Sequence, residues 1–412
     1  MQTQLADWIR DTPEGKDADA ILRKCVHCGF CTATCPTYQL LGDELDGPRG
    51  RIYLMKQMLE GGAITAKTQL HLDRCLTCRN CETTCPSGVQ YGRLVDIGRK
   101  LVDDRVQRPL GQRLVRAALK NGLTSPLFAP AMKFGRALRP LLPAALKAKV
   151  PARRAPGSFP TRSHARRMIL LEGCVQPAMA PNINTATARV LDALGIELVR
   201  PADAGCCGAI RYHLSDHDGG LDDARRNIDA WWPLVEAGAE ALVMNASGCG
   251  LQVKEYGHLL ARDPEYAARA QRIGDLTQDV AELLPALGAE LRRKLGTATT
   301  GKVVFHSPCT LQHGLKVRGA VEALLTSLGA TVAPVGESHF CCGSAGTYSV
   351  LQPELSIELR DRRLGHLNAP GPDAILSANI GCITHLQSGT ETPVMHWIEW
   401  LDARLNPRRP ES

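Results

Sequence analysis

Apolar residues recur at helical spacing through the first hundred positions, and then the rhythm changes. Ile52, Leu54, Met55, Met58 and Leu59 fall on one face of a helix, and Leu94, Ile97 and Leu101 continue that spacing further on. Leu110, Leu114 and Ala117 predict another helix, ending near Asn121-Gly122. Beyond it Pro126, Pro130, Pro140, Pro143, Pro151, Pro156 and Pro160 break the pattern, which predicts short helices joined by extended pieces. From residue 168 onward short continuous apolar runs appear instead, at 168–171, 241–244, 303–305 and 374–376. Helical stretches ending at Leu194-Gly195 and Leu328-Gly329 lie between them. Strands alternating with helices predict parallel α/β units.

The second half is a duplication, and its cysteines show it. Cys174, Cys206 and Cys207 recur 135 positions later as Cys309, Cys341 and Cys342, and Cys249 recurs 133 positions later as Cys382. Each copy is predicted to run strand, cysteine, helix, strand, Cys-Cys-Gly, helix, strand, cysteine. The cysteines then stand at strand C-termini, where open α/β sheets place their sites. The predicted fold is α+β and multidomain: an α-helical domain over 1–100, a basic helical and proline-rich connector over 101–167, and two tandem α/β cysteine-rich repeats over 168–295 and 296–412.

The other eight of the sixteen cysteines form two runs, Cys25, Cys28, Cys31, Cys35 and Cys75, Cys78, Cys81, Cys85, each followed by proline (Pro36, Pro86). This C-x2-C-x2-C-x3-C-P pattern is the ligand run of two-cluster ferredoxins. Three thiols in one tight loop grip three irons of a [4Fe–4S] cube, and the fourth, turned away by the proline, ligates the other cube. By that rule Cys25, Cys28, Cys31 and Cys85 hold one cluster, and Cys75, Cys78, Cys81 and Cys35 the other. The competing chemistry is a pair of tetrahedral four-cysteine zinc sites, which place paired C-x2-C elements on separate hairpins rather than in one short run. The roughly forty residues between the runs favour a helical domain over the compact ferredoxin with β-hairpins.

The Cys-Cys-Gly groups leave more open. They could bind further iron–sulfur clusters, be buried structural cysteines, or form a redox-active disulfide. Gly208 and Gly343 lack a Cβ and would let backbone approach a cofactor closely. His213, His217, His306, His313, His339 and His385 lie near these groups in sequence. His385 draws attention because it follows Cys382 by three residues.

Composition narrows the function. The net charge of +7 comes from one segment: residues 105–167 hold fifteen Lys and Arg and no Asp or Glu, so the remainder is net negative. Such a segment suits an acidic partner subunit, an anionic membrane face or an ordinary solvated surface, and its sparse aromatics argue against nucleic acid. The polar, charged start predicts no secretory signal. No apolar run has transmembrane length. Clustered thiols without a signal point to a reducing cytoplasm. Neither a G-x-G-x-x-G dinucleotide loop nor a phosphate loop occurs, so no flavin or nicotinamide site and no catalytic residue is expected in this chain.

Lys24-Cys25-Val26-His27-Cys28-Gly29-Phe30-Cys31, Thr34-Cys35-Pro36-Thr37-Tyr38 and Gly47-Pro48-Arg49-Gly50-Arg51 resemble the iron–sulfur subunits of bacterial glycolate oxidase, and the resemblance spans essentially the full length. The repeats are similar to the CCG domains shared with heterodisulfide reductase and with anaerobic glycerol-3-phosphate dehydrogenase. The resemblance implies an electron-transfer subunit. A partner flavin subunit would oxidise glycolate to glyoxylate beside a second flavoprotein-like subunit, with FAD on these partners, and this chain would pass the electrons toward a quinone or other acceptor, peripherally on the inner face of the membrane. The glycerol-3-phosphate and heterodisulfide enzymes are the alternative. In the heterodisulfide family each motif ends C-x2-C. Here Gln252 and His385 stand where that fifth thiol would be.

Overall fold

The computed structural model describes residues 1–141, 154–296 and 300–405. Pro143 and Pro151, expected to interrupt the connector, lie outside them. Residues 7–105 form helices and turns with no strand. The helix Pro48–Leu59 buries Ile52, Met55, Met58 and Leu59. It packs on Tyr91–Arg105, which buries Leu94, Val95 and Val102. The pattern of apolar positions thus forms one continuous core among these helices. The connector helices Leu110–Gly122 and Phe128–Ala137 follow, and neither buries any residue. They are tied down by charge instead: Arg116 pairs with Asp73 at 2.9 Å and Lys120 with Asp216 at 3.4 Å.

Each cysteine-rich copy is built on a four-stranded parallel sheet. The first comprises β1 (Arg166–Leu170), β2 (Ile196–Val199), β3 (Leu242–Met244) and β4 (Thr277–Asp279), in the order β2-β1-β3-β4. The second comprises β5 (Thr300–His306), β6 (Ala330–Val332), β7 (Ala374–Ser377) and β8 (Val394–His396), in the order β6-β5-β7-β8. All pairings are parallel. Three strands per copy follow the predicted order. The fourth, outermost strand is additional, and at three residues, Thr-Gln-Asp in the first copy, it is too short and too polar to show a period.

The copies pack reciprocally. The helix Pro181–Ala193 of the first lies on Trp397–Leu405 of the second, and Val280–Ala286 of the first lies on Ala320–Ser327 of the second. A single apolar core runs through both. Arg189 Nε reaches Asp402 Oδ1 at 2.8 Å across this junction, and Ser247 Oγ meets Thr310 Oγ1 at 2.7 Å. The helical N-terminal unit sits across both copies. Arg79 forms two hydrogen bonds, of 2.6 and 2.8 Å, to Glu255 of the first. Tyr348 of the second donates its hydroxyl to the Arg74 carbonyl at 3.1 Å.

Candidate metal centres

The two N-terminal cysteine runs fold alike because their backbones turn twice through the left-handed region. His27 (φ +57°) and Gly29 (φ +85°) do so in the first run, and Thr77 (φ +52°) and Arg79 (φ +59°) in the second. Three non-glycine residues held there mark loops whose surroundings dictate the backbone. Between these loops lie two cavities that share Cys81 and Tyr91 as a common wall. One gathers Cys25, Cys28, Cys31 and Cys85, and the other gathers Cys35, Cys75, Cys78 and Cys81. The fourth cysteine of each run therefore lines the cavity of the other run.

These donor sets suit a cationic iron core. Burial pushes the Cys31 thiol up to about 11, with Cys25 adding to it, and burial also raises Cys78 and Cys81. Crowded, buried thiols ionise only when positive charge arrives with the ligand they bind. The second cavity is prepared for this by Arg51, 1 % exposed, whose Nε donates to the His71 carbonyl at 2.7 Å and whose Nη1 donates to Thr37 Oγ1 at 3.1 Å. Asp46, fully buried, is bound by Arg51, Arg74 and His71, and Asp43 beside it accepts from Leu45 N, so the cluster of Asp43, Asp46 and His71 already has its partners within the chain. Backbone Thr77 N and Tyr91 OH point to Cys75 Sγ at 3.3 and 3.7 Å. The first cavity lies at the surface: Cys28 is exposed, and Val26 and Phe30 beside it are 67 % and 61 % exposed.

In each cysteine-rich copy the four thiols converge at the C-terminal ends of the first three strands, around the sheet's switch point. All sixteen cysteines are free. In the first copy, Cys174 and Cys207 donate to Cys206 and draw it down to about 3, while they are themselves raised. In the second copy, Cys341, Cys382 and His306 surround Cys342 and lower it, and Cys309 Sγ lies 3.7 Å from Cys341 Sγ. The glycine of each motif has a packing reason within the chain. At φ +85°, a Cβ on Gly208 would stand 2.4 Å from the Gly220 carbonyl oxygen, and one on Gly343 2.4 Å from that of Ser356. The chain's own helix makes this close approach.

The histidines separate clearly. His213 pairs with Asp96 at 3.0 Å, His217 stacks on Tyr212, His313 bonds the His339 carbonyl at 3.0 Å, and His339 packs on Phe340. His385, the one singled out by proximity in sequence, is occupied by Ser356, with its Nε2 3.0 Å from the hydroxyl and 3.1 Å from the carbonyl. His306 is the ring that meets the thiols: its donor atoms and those of Cys342 and Cys382 lie within 4.8 Å of one another, all buried. It ends β5, three residues before Cys309, where the first copy has Leu171. A histidine directly after the apolar run 303–305 was the signal available in the sequence.

Residues 21–89 match the 4Fe-4S dicluster domain, and residues 168–254 and 303–387 match the CCG cysteine-rich domain. The glycolate oxidase iron–sulfur subunit of Escherichia coli K12 is 54 % identical over 98 % of this chain and 99 % of its own length. The chain belongs to the glycolate oxidase iron–sulfur subunit family. A probable glycolate oxidase iron–sulfur subunit of Bacillus subtilis 168 is 30 % identical over 90 % of the chain and 89 % of its own length. Lactate utilization protein A of Bacillus cytotoxicus, at 29 % identity, covers 58 % of the chain and 99 % of itself. As an iron–sulfur subunit of this family the chain carries two [4Fe–4S] clusters and serves in electron transfer. Among the described residues no helix is long and apolar enough to cross a membrane.

Proposed function

We propose that this chain receives electrons from a partner flavin subunit, carrying FAD and oxidising glycolate to glyoxylate, and delivers them toward a membrane quinone or another acceptor. Cys25, Cys28, Cys31 and Cys85 hold one [4Fe–4S] cluster, and Cys35, Cys75, Cys78 and Cys81 the other. Four thiols of the second cysteine-rich copy hold a further cluster. When bound, these groups each take up and release an electron.

The observation that carries this reading is the spatial order of the thiol sets. The set around Cys28 lies at the surface with exposed Val26 and Phe30, a face suited to a partner subunit. The set around Cys78 lies behind it, across the wall of Cys81 and Tyr91. Cys78 and Cys309 then pack against one apolar cluster of Leu76, Cys341, Tyr348 and Leu359, which joins the second set to the second copy. The first copy touches the N-terminal unit through ion pairs instead.

The connector supports a peripheral membrane position. Leu110, Leu114, Leu127, Phe134 and Leu141 are 61–82 % exposed on helices that carry Lys and Arg but no acid.

The test is iron and acid-labile sulfide per full-length chain purified without oxygen, with electron paramagnetic resonance before and after reduction. Iron beyond the about eight of two cubanes, lost in Cys342→Ser, supports the reading. About eight irons, unchanged in that variant, would confine the clusters to the N-terminal unit. A colourless zinc protein without sulfide would overturn the whole.

A further inference from the structure

The two cysteine-rich copies share a backbone and four thiols, but not what stands behind them. Gly208 and Gly343 abut Gly220 and Ser356 in the same way, which aligns the two following helices. Seven residues further on, the first copy has Asn227 and the second Arg363. Asn227 holds its loop as a neutral clamp, donating to the Cys206 carbonyl at 2.6 Å and accepting from Gly205 N at 2.8 Å. Arg363 is a cation, 1 % exposed, and forms no salt bridge among the described residues. Its Nη1 donates to the carbonyls of Gly336 and Glu337, both at 2.9 Å, and its Nη2 is buried without a partner. Its Nε donates to His306 Nδ1 at 3.2 Å. A guanidinium has only hydrogens to offer, so Nδ1 accepts and the ring proton sits on Nε2. That Nε2 is buried and has no other hydrogen-bond partner, while the ring lies with Cys342 and Cys382.

We propose that Arg363 and His306 are a positioning pair for the sulfur set of the second copy, with Arg363 fixing the tautomer of His306 and His306 offering Nε2–H to the sulfur of Cys342. His306 is thereby a hydrogen-bond donor to the site and not the ligand that replaces the missing fifth thiol. Metal bound at Nε2 would put the ring proton on Nδ1, where it would face the Arg363 N–H. A neighbouring cation and a hydrogen bond to sulfur both favour the reduced, more negative state of a thiolate-ligated cluster. The first copy has Leu171 and Asn227 in these places, and its neighbouring cation, Arg226, is half-exposed and already paired with Asp223 at 2.9 Å. The second copy is therefore the more readily reduced of the two.

This inference rests on the reading that the second copy holds a cluster. The test uses the full-length chain purified without oxygen, with iron content and a redox titration followed by electron paramagnetic resonance. Cys342→Ser identifies the signal of the second copy. His306→Leu and Arg363→Met are expected to keep the iron and shift that centre's reduction equilibrium about tenfold toward the oxidised form, about 59 mV for one electron. His306→Gln, which keeps an N–H, and Arg363→Lys, which keeps the charge, are expected to recover part of the shift. Unmoved potentials with full iron would overturn the pairing. Loss of iron in both His306 variants, with the two N-terminal clusters intact, would make His306 a ligand and also overturn it. A signal that survives Cys342→Ser would instead remove the cluster reading underneath.

Discussion

The first and second cysteine-rich copies present the same chain twice in two electrical settings. In the first, the thiols stand over Leu171 and the neutral Asn227, and the nearby Arg226, half-exposed, is already paired with Asp223 at 2.9 Å. In the second, the thiols stand over His306 and the buried, carboxylate-free Arg363, and Cys309 abuts the Cys78 side of the N-terminal unit. Duplication preserved what the backbone needs, and the copies diverged where a side chain faces sulfur. Sharing a motif therefore does not imply sharing a task, and it is the second copy whose Cys309 packs on the same apolar cluster as Cys78 of the N-terminal unit.

The largest expected effect breaks the comparison outright. In the assembled complex, Cys309→Ser is expected to lower glycolate-dependent quinone reduction by about 100-fold, and Cys174→Ser by less than about tenfold. Equal losses in the two variants would show that both copies lie on the electron path, or that neither does. Flavin reduction by glycolate, measured in the same preparations, is expected to be unchanged, since the proposed substrate site lies on the partner.

A second prediction sharpens the part the copies share. Gly208→Ala and Gly343→Ala each force a Cβ to within 2.4 Å of a helix carbonyl at φ +85°. Each is expected to destabilise its copy by at least about 1–3 kcal/mol, seen as a lower midpoint in thermal unfolding. The two losses should be similar, because the strain is set by the backbone and not by what faces the sulfur. A loss in only one copy would mean that the other relaxes its helix.

Much of this was legible in the sequence. The helix Pro48–Leu59 follows from Ile52, Met55, Met58 and Leu59 because a long amphipathic face repeats its signal several times. The meeting of Cys85 with the first run and Cys35 with the second follows from a spacing whose geometry is nearly fixed. What escaped was non-local. His385 is a turn beyond Cys382 in the same helix, yet Ser356, 29 residues away, claims its ring. His306 meets Cys342 because the central strand β5 ends beside the Cys-Cys-Gly turn, a contact that only the assembled sheet creates. The outer strands β4 and β8 escaped for a related reason: their pairing comes from a neighbour, not from their own three residues.

The smallest effect concerns the ends of those outer strands, where the copies again differ in charge chemistry. Asp279 and His396 occupy matching places, each opening the helix that follows. Asp279 accepts from Ala281 N at 2.9 Å and donates its own N–H to Glu282. His396 Nδ1 accepts from Ile398 N at 3.1 Å, and its backbone N–H goes to Glu399. Burial first, then the Glu282 carboxylate, pushes Asp279 from an ordinary 3.8 up to about 7. Burial draws His396 from 6.5 down to about 3, against the pull of the Asn245 carbonyl. The signs are opposite. Between about pH 4 and 7 the folded chain binds more protons at Asp279 than the unfolded chain, so this group's contribution falls as pH rises to about 7 and is flat beyond. Between about pH 3 and 6.5 the folded chain binds fewer protons at His396, so its contribution is complete above about 6.5 and is lost as pH falls. Thermal midpoints measured across pH 4–8 are expected to show Asp279→Asn relieving the decline toward neutrality and raising the midpoint at pH 8 by a few degrees. His396→Gln should relieve the acid-side loss instead. If both variants flatten the same limb of the profile, the two copies do not differ at this position in the way their burial implies.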